Sequence, residues 1–115
     1  MLNKLKQALS GKQLPETDVA SVVAAGSAKG LTIVDVREAE EWRAGHIKGG
    51  QHLPLGDLAR RASEVDASKP VVTVCRSGRR SLEAVRILQE AGLIDVASMA
   101  GGMIAWEEAR QPVER

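Results

Sequence analysis

The sequence predicts one α/β domain in which a mainly parallel sheet is covered by helices on both faces. Three observations lead there. Strand-like apolar runs alternate with helical patterns along the 115 residues, the order expected when a helix returns the chain to lay each next strand parallel. The apolar residues are Val, Leu, Ile and Ala, with no Phe, no Tyr and only Trp42 and Trp106, which suits a sheet buried on both sides. The length fits a single domain able to bury roughly two-thirds of its unfolded surface.

The chain divides into an N-terminal amphipathic helical extension over 1–12 and a single domain over 13–115. In the extension, Leu2, Leu5 and Leu9 share one helical face, opposed by Lys4, Lys6 and Lys12, until Gly11 ends the stretch. So short a segment reads better as packing on the domain edge than as a membrane-surface helix. Thr17 or Asp18 caps a helix expected to run to about Ala28, with Val19, Val22 and Val23 facing inward. Leu31 to Val36 is the first strand, followed by a short helix over Glu38 to Ala44 and a Gly49-Gly50 turn. Gln51-His52-Leu53 is a short strand closed by Pro54, and Leu55 to about Val65 is helical, with Leu58 inward and Arg60 and Arg61 outward. Pro70 introduces the strand that ends at Cys75. Arg79 to Ala91 is an amphipathic helix that buries Leu82, Val85 and Leu88, pairs Arg86 with Glu90, and stops at Gly92. Ile94 to Met99 is the last strand, Gly101-Gly102 a turn, and Ile104 to Arg110 a closing helix.

The charge balance excludes some function classes. A net charge of +1 supplies no global field to draw in a polyanion, and the near absence of aromatics leaves no stacking platform, so nucleic acid is not expected as a partner. No stretch is long and apolar enough to span a membrane, and Met1-Leu2-Asn3-Lys4-Leu5-Lys6 is too polar for an export signal. A single cysteine forms no internal disulfide, which favours a reducing, cytoplasmic location.

That cysteine carries the chemistry. Cys75 opens the run Cys75-Arg76-Ser77-Gly78-Arg79-Arg80-Ser81 between a buried strand and a helix, where a parallel sheet gathers its functional groups. Helix-end dipoles and nearby cations lower a thiol pKa, and the thiolate is the nucleophile. Gly78 allows a tight turn whose N–H groups form an anion-binding nest, and Ser77 and Ser81 add hydroxyl donors. Arg76, Arg79 and Arg80 supply charge to hold an oxyanion or a persulfide. The bland alternative, a cysteine acting as a small buried hydrophobe, fits poorly beside three arginines and a glycine.

The chain resembles a single-domain rhodanese, a thiosulfate sulfurtransferase-type domain, from about Leu14 to Pro112. Four runs carry the likeness: Ile33 to Glu38 with Glu41-Trp42; Gly45-His46-Ile47 through Leu53-Pro54-Leu55; Cys75 to Ser81; and Gly101-Gly102 with Ala105-Trp106 and Pro112. The resemblance implies a three-layer fold around a mostly parallel five-stranded sheet. It also implies that Cys75 accepts a sulfane sulfur as a persulfide and passes it to a nucleophilic acceptor, with ping-pong kinetics and no metal or organic cofactor. The partners so implied are a small anionic sulfur donor and a thiophilic acceptor: cyanide, a thiol or an acceptor protein.

Two alternatives stand beside that reading. One is a persulfide carrier that delivers sulfur to a partner and turns over slowly on small molecules. The other is a phosphatase or arsenate reductase on the same fold, whose sites resemble Cys, five residues, then Arg. Here four residues separate Cys75 from Arg80, and a phosphatase arginine would fall at Ser81. The shorter ring suits a sulfur atom better than a tetrahedral phosphate.

Several other residues have competing roles. Asp35 either supports the catalytic loop, as the resemblance implies, or caps the helix after Glu38. Arg37 either binds an anion or, as the local Glu38, Glu40 and Glu41 favour, pairs with a carboxylate. In the resembled family the His46 position is structural and not a base, and His52 is an ordinary sheet or surface residue. Trp42 and Trp106 are expected to pack the core.

Overall fold

The computed structural model describes residues 13–115, so the expected helix over 1–12 lies outside the described residues. The elements are β1 (Glu16–Thr17), α1 (Val19–Ala24), β2 (Thr32–Asp35), α2 (Ala39–Ala44), β3 (Gln51–His52), α3 (Leu55–Arg61), β4 (Val71–Val74), α4 (Arg79–Glu90), β5 (Val96–Met99) and α5 (Gly102–Glu108). Single 3-10 turns at Ser27–Lys29 and Ala62–Glu64 follow α1 and α3. The strands form one five-stranded sheet in the order β1-β5-β4-β2-β3, and every neighbouring pair is parallel. β4 is therefore central, and Cys75 follows directly from its carboxyl end.

Period-two alternation sends each strand's side chains to two cores. Val34, Val71, Cys75 and Val96 join Leu58, Ala84, Val85 and Leu88 beneath α3 and α4. Ile33, Val72, Val74 and Met99 join Val22, Met103 and Trp106 beneath α1 and α5. Because β2 and β4 are buried on both faces, apolar Val and Ile stand on both sides of each strand, interrupted by Thr32 and Asp35 in β2 and Thr73 in β4.

Several boundaries differ from expectation. β1 was not expected; its two residues add to the edge of β5, with Glu16 opposite Ser98 and Thr17 opposite Met99. Asp18 is the cap, its carboxylate accepting from the Ser21 N–H at 2.8 Å, but the helix ends at Ala24 and not near Ala28, because Gly26 turns the chain left-handed. Val22 is buried while Val23 is exposed. β5 begins at Val96, where it meets Val71 of β4, which leaves Ile94 outside the sheet and 93 % exposed. α4 ends as expected, with the Leu93 N–H reaching the Leu88 carbonyl around Gly92 in a Schellman arrangement. Arg86 pairs with Glu83 as well as Glu90. The closing helix starts at Gly102, two residues before Ile104.

Candidate active site

Three elements build the surroundings of Cys75. β4 delivers it, α4 begins four residues later, and α5 closes from the other side. Gly78 lies at φ +101°, in the left-handed region, and this turn brings its N–H to the Cys75 Sγ at 3.1 Å. The Ser81 Oγ, on the first turn of α4, is 3.4 Å from the same sulfur. On the opposite side, the first N–H groups of α5 hold the loop by its carbonyls: Met103 donates to Cys75 at 2.8 Å and Ile104 to Arg76 at 3.0 Å. Gly102 makes that approach possible. A Cβ there would stand 2.3 Å from the Cys75 carbonyl oxygen, so the backbones meet only over a glycine.

Cys75 is itself only 1 % exposed and packs in the core under α4, so it is more deeply buried than an open electropositive site would have it. Burial pushes the thiol pKa up. Hydrogen bonds from the Ser81 hydroxyl and N–H and from the Gly78 and Ser77 N–H groups outweigh it, and the thiol lies below its ordinary value. The leading causes of the lowering are thus hydrogen bonds from the loop, in contrast to the cation ring expected from three arginines. Arg76 and Arg79 are exposed. Arg80 is turned to α2, where it forms a two-pronged pair with Glu41 at 2.7 and 2.8 Å.

Glu41 does two jobs. It closes the capping box of α2 by accepting from the Glu38 N–H, and through Arg80 it ties α2 to the first turn of α4, next to the Cys75 loop. The Arg80 guanidinium holds the Glu41 carboxyl at about 2, well under its usual 4.5. Because the folded-state pKa is depressed, this contribution to stability is complete above 4.5 and is lost as the pH falls toward about 2. Thermal midpoints of the wild type are expected to fall more steeply across that window than those of Glu41→Gln, and added salt should narrow the difference. Parallel curves would show that the pair has no linkage to folding.

Asp35 and Arg37 find each other. Arg37 Nε and Nη2 donate to the Asp35 carboxylate at 2.8–3.1 Å, and the Arg37 N–H adds a further bond at 3.0 Å. Arg37 also donates to the Gly45 carbonyl at 2.7 Å. Among the described residues, the Asp35 side chain bonds neither to the loop that follows Cys75 nor to α2, whose cap is Glu38. The expectation that Arg37 pairs with a carboxylate holds, but its partner is Asp35 and not one of the glutamates. His46 donates from Nδ1 to the Trp42 carbonyl, and His52 from Nε2 to the Arg37 carbonyl, each at 2.8 Å. Trp106 is buried in the core, whereas Trp42 is half-buried and stacks on His46 at 3.6 Å and on His52 at 4.9 Å.

Thr73 and Ser98 are not among the residues expected at the site. Both are completely buried beneath α4: Thr73 donates to the Ser81 carbonyl at 2.8 Å, and Ser98 Oγ lies 2.6 Å from Ser81 Oγ. The available signal was a hydroxyl at an inward position of each strand, where a polar group must find a partner.

Comparison with known proteins places this geometry in context. A family model described as the rhodanese-like domain matches residues 18–109. The chain is 40 % identical over 80 residues to YrkF of Bacillus subtilis, a candidate sulfur carrier protein, covering 70 % of this chain and 43 % of that protein. It is 38 % identical over 91 residues to the thiosulfate sulfurtransferase GlpE of Shewanella oneidensis, covering 79 % of this chain and 90 % of that one. Among solved structures, a rhodanese-related protein of Thermoplasma volcanium superposes with a TM-score of 0.81 at 28 % identity, covering 88 % of this chain and 98 % of that one.

Proposed function

Since the chain belongs to the rhodanese-like domain family, we propose that it is a sulfurtransferase that moves a sulfane sulfur through a persulfide on Cys75. The observation that carries this reading is the Cys75 sulfur, held by the Gly78 N–H and facing the Ser81 hydroxyl in a loop that lowers its pKa. The thiolate attacks the outer sulfur of an anionic donor such as thiosulfate. A Cys75 S–S bond forms, the donor's S–S bond breaks, and sulfite leaves with that electron pair. An acceptor such as cyanide or a thiol then attacks the outer sulfur of the persulfide, and the Cys75 thiolate returns. The loop from Cys75 to Ser81 cradles the transferred sulfur. Arg76 and Arg79, exposed on its rim, attract the anionic donor. Arg80 holds the loop in shape through Glu41, and the Asp35–Arg37 pair supports the neighbouring strand end. A nearly buried nucleophile suits a terminal sulfur presented end-on better than a bulkier phosphate. A reducing compartment such as the cytoplasm would keep this thiol free.

A second reading is a persulfide carrier that discharges only to a partner protein, and the 40 % identity to a candidate sulfur carrier favours it as the alternative. One experiment tests both. The intact mass after thiosulfate treatment is expected to rise by one sulfur atom, with no rise in Cys75→Ala, and cyanide should remove that sulfur as thiocyanate. No mass gain with thiosulfate or with small persulfides would overturn the sulfur-transfer reading. A persulfide that forms but resists cyanide would favour the carrier.

A further inference from the structure

We propose that Ser98, in the middle of β5, is a positioning residue that fixes the direction of the Ser81 hydroxyl and aims it at the Cys75 sulfur. Its importance for turnover rests on the sulfur-transfer reading, while its effect on the thiol does not. Alternation along β5 places Ser98 on the α4 side of the sheet with Val96, facing Ser81. Ser81, Ser98 and Thr73 are all completely buried, and the Thr73 hydroxyl secures the Ser81 backbone by donating to its carbonyl.

Counting hydrogens orients the chain. Each hydroxyl has one to give. Among the described residues, the Ser98 hydroxyl has one hydrogen-bond partner, Ser81 Oγ at 2.6 Å. If Ser98 donates there, the Ser81 hydrogen is left to point at Sγ, 3.4 Å away. In the reverse order the Ser98 hydrogen would have no acceptor in a site closed to water, and a buried donor without an acceptor is disfavoured. The favoured order is therefore Ser98 to Ser81 to sulfur, and each bond polarises the next. A thiolate accepts such a bond, whereas a thiol must compete with it using its own hydrogen. The fixed orientation thus stabilises the ionised sulfur.

The charged groups nearby belong to other elements and stay in place when Ser98 changes. Arg76 and Arg79 lie exposed on the loop, Arg80 is bound to Glu41 of α2, and Asp35 is paired with Arg37 at the end of β2. α3 turns Leu58 inward and carries its Asp57–Arg60 pair at the surface. α5 contributes backbone N–H groups.

The test is the pH dependence of iodoacetamide alkylation of Cys75, the only cysteine in the chain. It needs no sulfur donor, so it succeeds or fails independently of the transfer activity. In Ser98→Ala the midpoint should rise by about half a unit to one unit, slowing alkylation at neutral pH by about three- to tenfold, with the alkaline plateau unchanged. Thr32→Val removes a part-buried hydroxyl that serves Asp66 far from the loop and should leave the midpoint where it is. Should Ser98→Ala not fold, Ser98→Thr and Ser98→Val form a pair of similar size that differs in the hydroxyl. The midpoint should then stay in place with Thr and rise with Val. An unchanged or lowered midpoint on loss of the hydroxyl would overturn the proposal.

Discussion

Replacing Arg37 with alanine is expected to destabilise the fold by about 3–5 kcal/mol, because it leaves a buried carboxylate without its partner. Asp35 is 2 % exposed and Arg37 is 6 % exposed, so water reaches neither well enough to compensate. The guanidinium makes three contacts with the Asp35 carboxylate and satisfies the Gly45 carbonyl that leads into His46. Losing it removes these bonds and strands a charge beside the end of β4, where Asp35 stands opposite Val74. Removing both charges should cost less than removing one. Asp35→Asn combined with Arg37→Met keeps an oxygen to accept the Arg37 N–H position's bond and leaves no ion behind. Urea denaturation of the wild type, the single variant and the double variant measures this. A single variant within about 1 kcal/mol of wild type, the range of an exposed pair, would show that the pair is not the buried tie described above.

Gly102→Ala is expected to be similarly damaging and to silence the thiol as well. Its Cβ would lie 2.3 Å from the Cys75 oxygen and 2.6 Å from the Arg76 carbonyl carbon and oxygen, all backbone atoms that cannot rotate away. Gly102 also sits at φ +53°, where an L side chain is disfavoured. Overpacking and backbone strain together amount to about 2–5 kcal/mol. The cheapest relief is for α5 to retreat. That would break the Met103 and Ile104 hydrogen bonds to the loop carbonyls and release the turn that aims Gly78 at the sulfur. Alkylation and persulfide formation at neutral pH should both fall. Gly92→Ala is the matched control: its φ is +102°, but a Cβ there meets nothing within 4 Å. It should cost only the backbone term, about 1–2 kcal/mol, and leave the thiol unchanged. Equal effects of the two substitutions would refute the close-approach role of Gly102.

Much of this molecule was legible in its residues. The double-faced burial of β2 and β4 follows from Val- and Ile-rich runs without strict alternation, the stop of α4 from Gly92, and the position of Cys75 from an apolar run that breaks into Arg, Ser and Gly. These are local signals, in which the physics of a turn or a strand is complete within a few neighbours. The pairing of Arg37 was also legible in kind. Its partner was not, because Asp35 and three glutamates all lie close to Arg37 in sequence, and only the fold shows which carboxylate is buried against the guanidinium.

What only the tertiary structure decided depends on partners far along the chain. β1 is too short to show a pattern and exists because the β5 edge accepts it. Ile94 lies outside its strand because β5 can begin only where β4 supplies a neighbour at Val71. Three arginines beside a cysteine suggested charge as the source of thiol acidity, yet one is bound to Glu41, thirty-nine residues away. The groups that approach the sulfur are a loop N–H and the Ser81 hydroxyl, backed by Ser98 from the neighbouring strand. The sequence by itself determined which fold this is and which single thiol it sets at the end of the central strand. Folding decided which groups lower that thiol's pKa, because a hydrogen-bond network is set by distances between elements that no local pattern records.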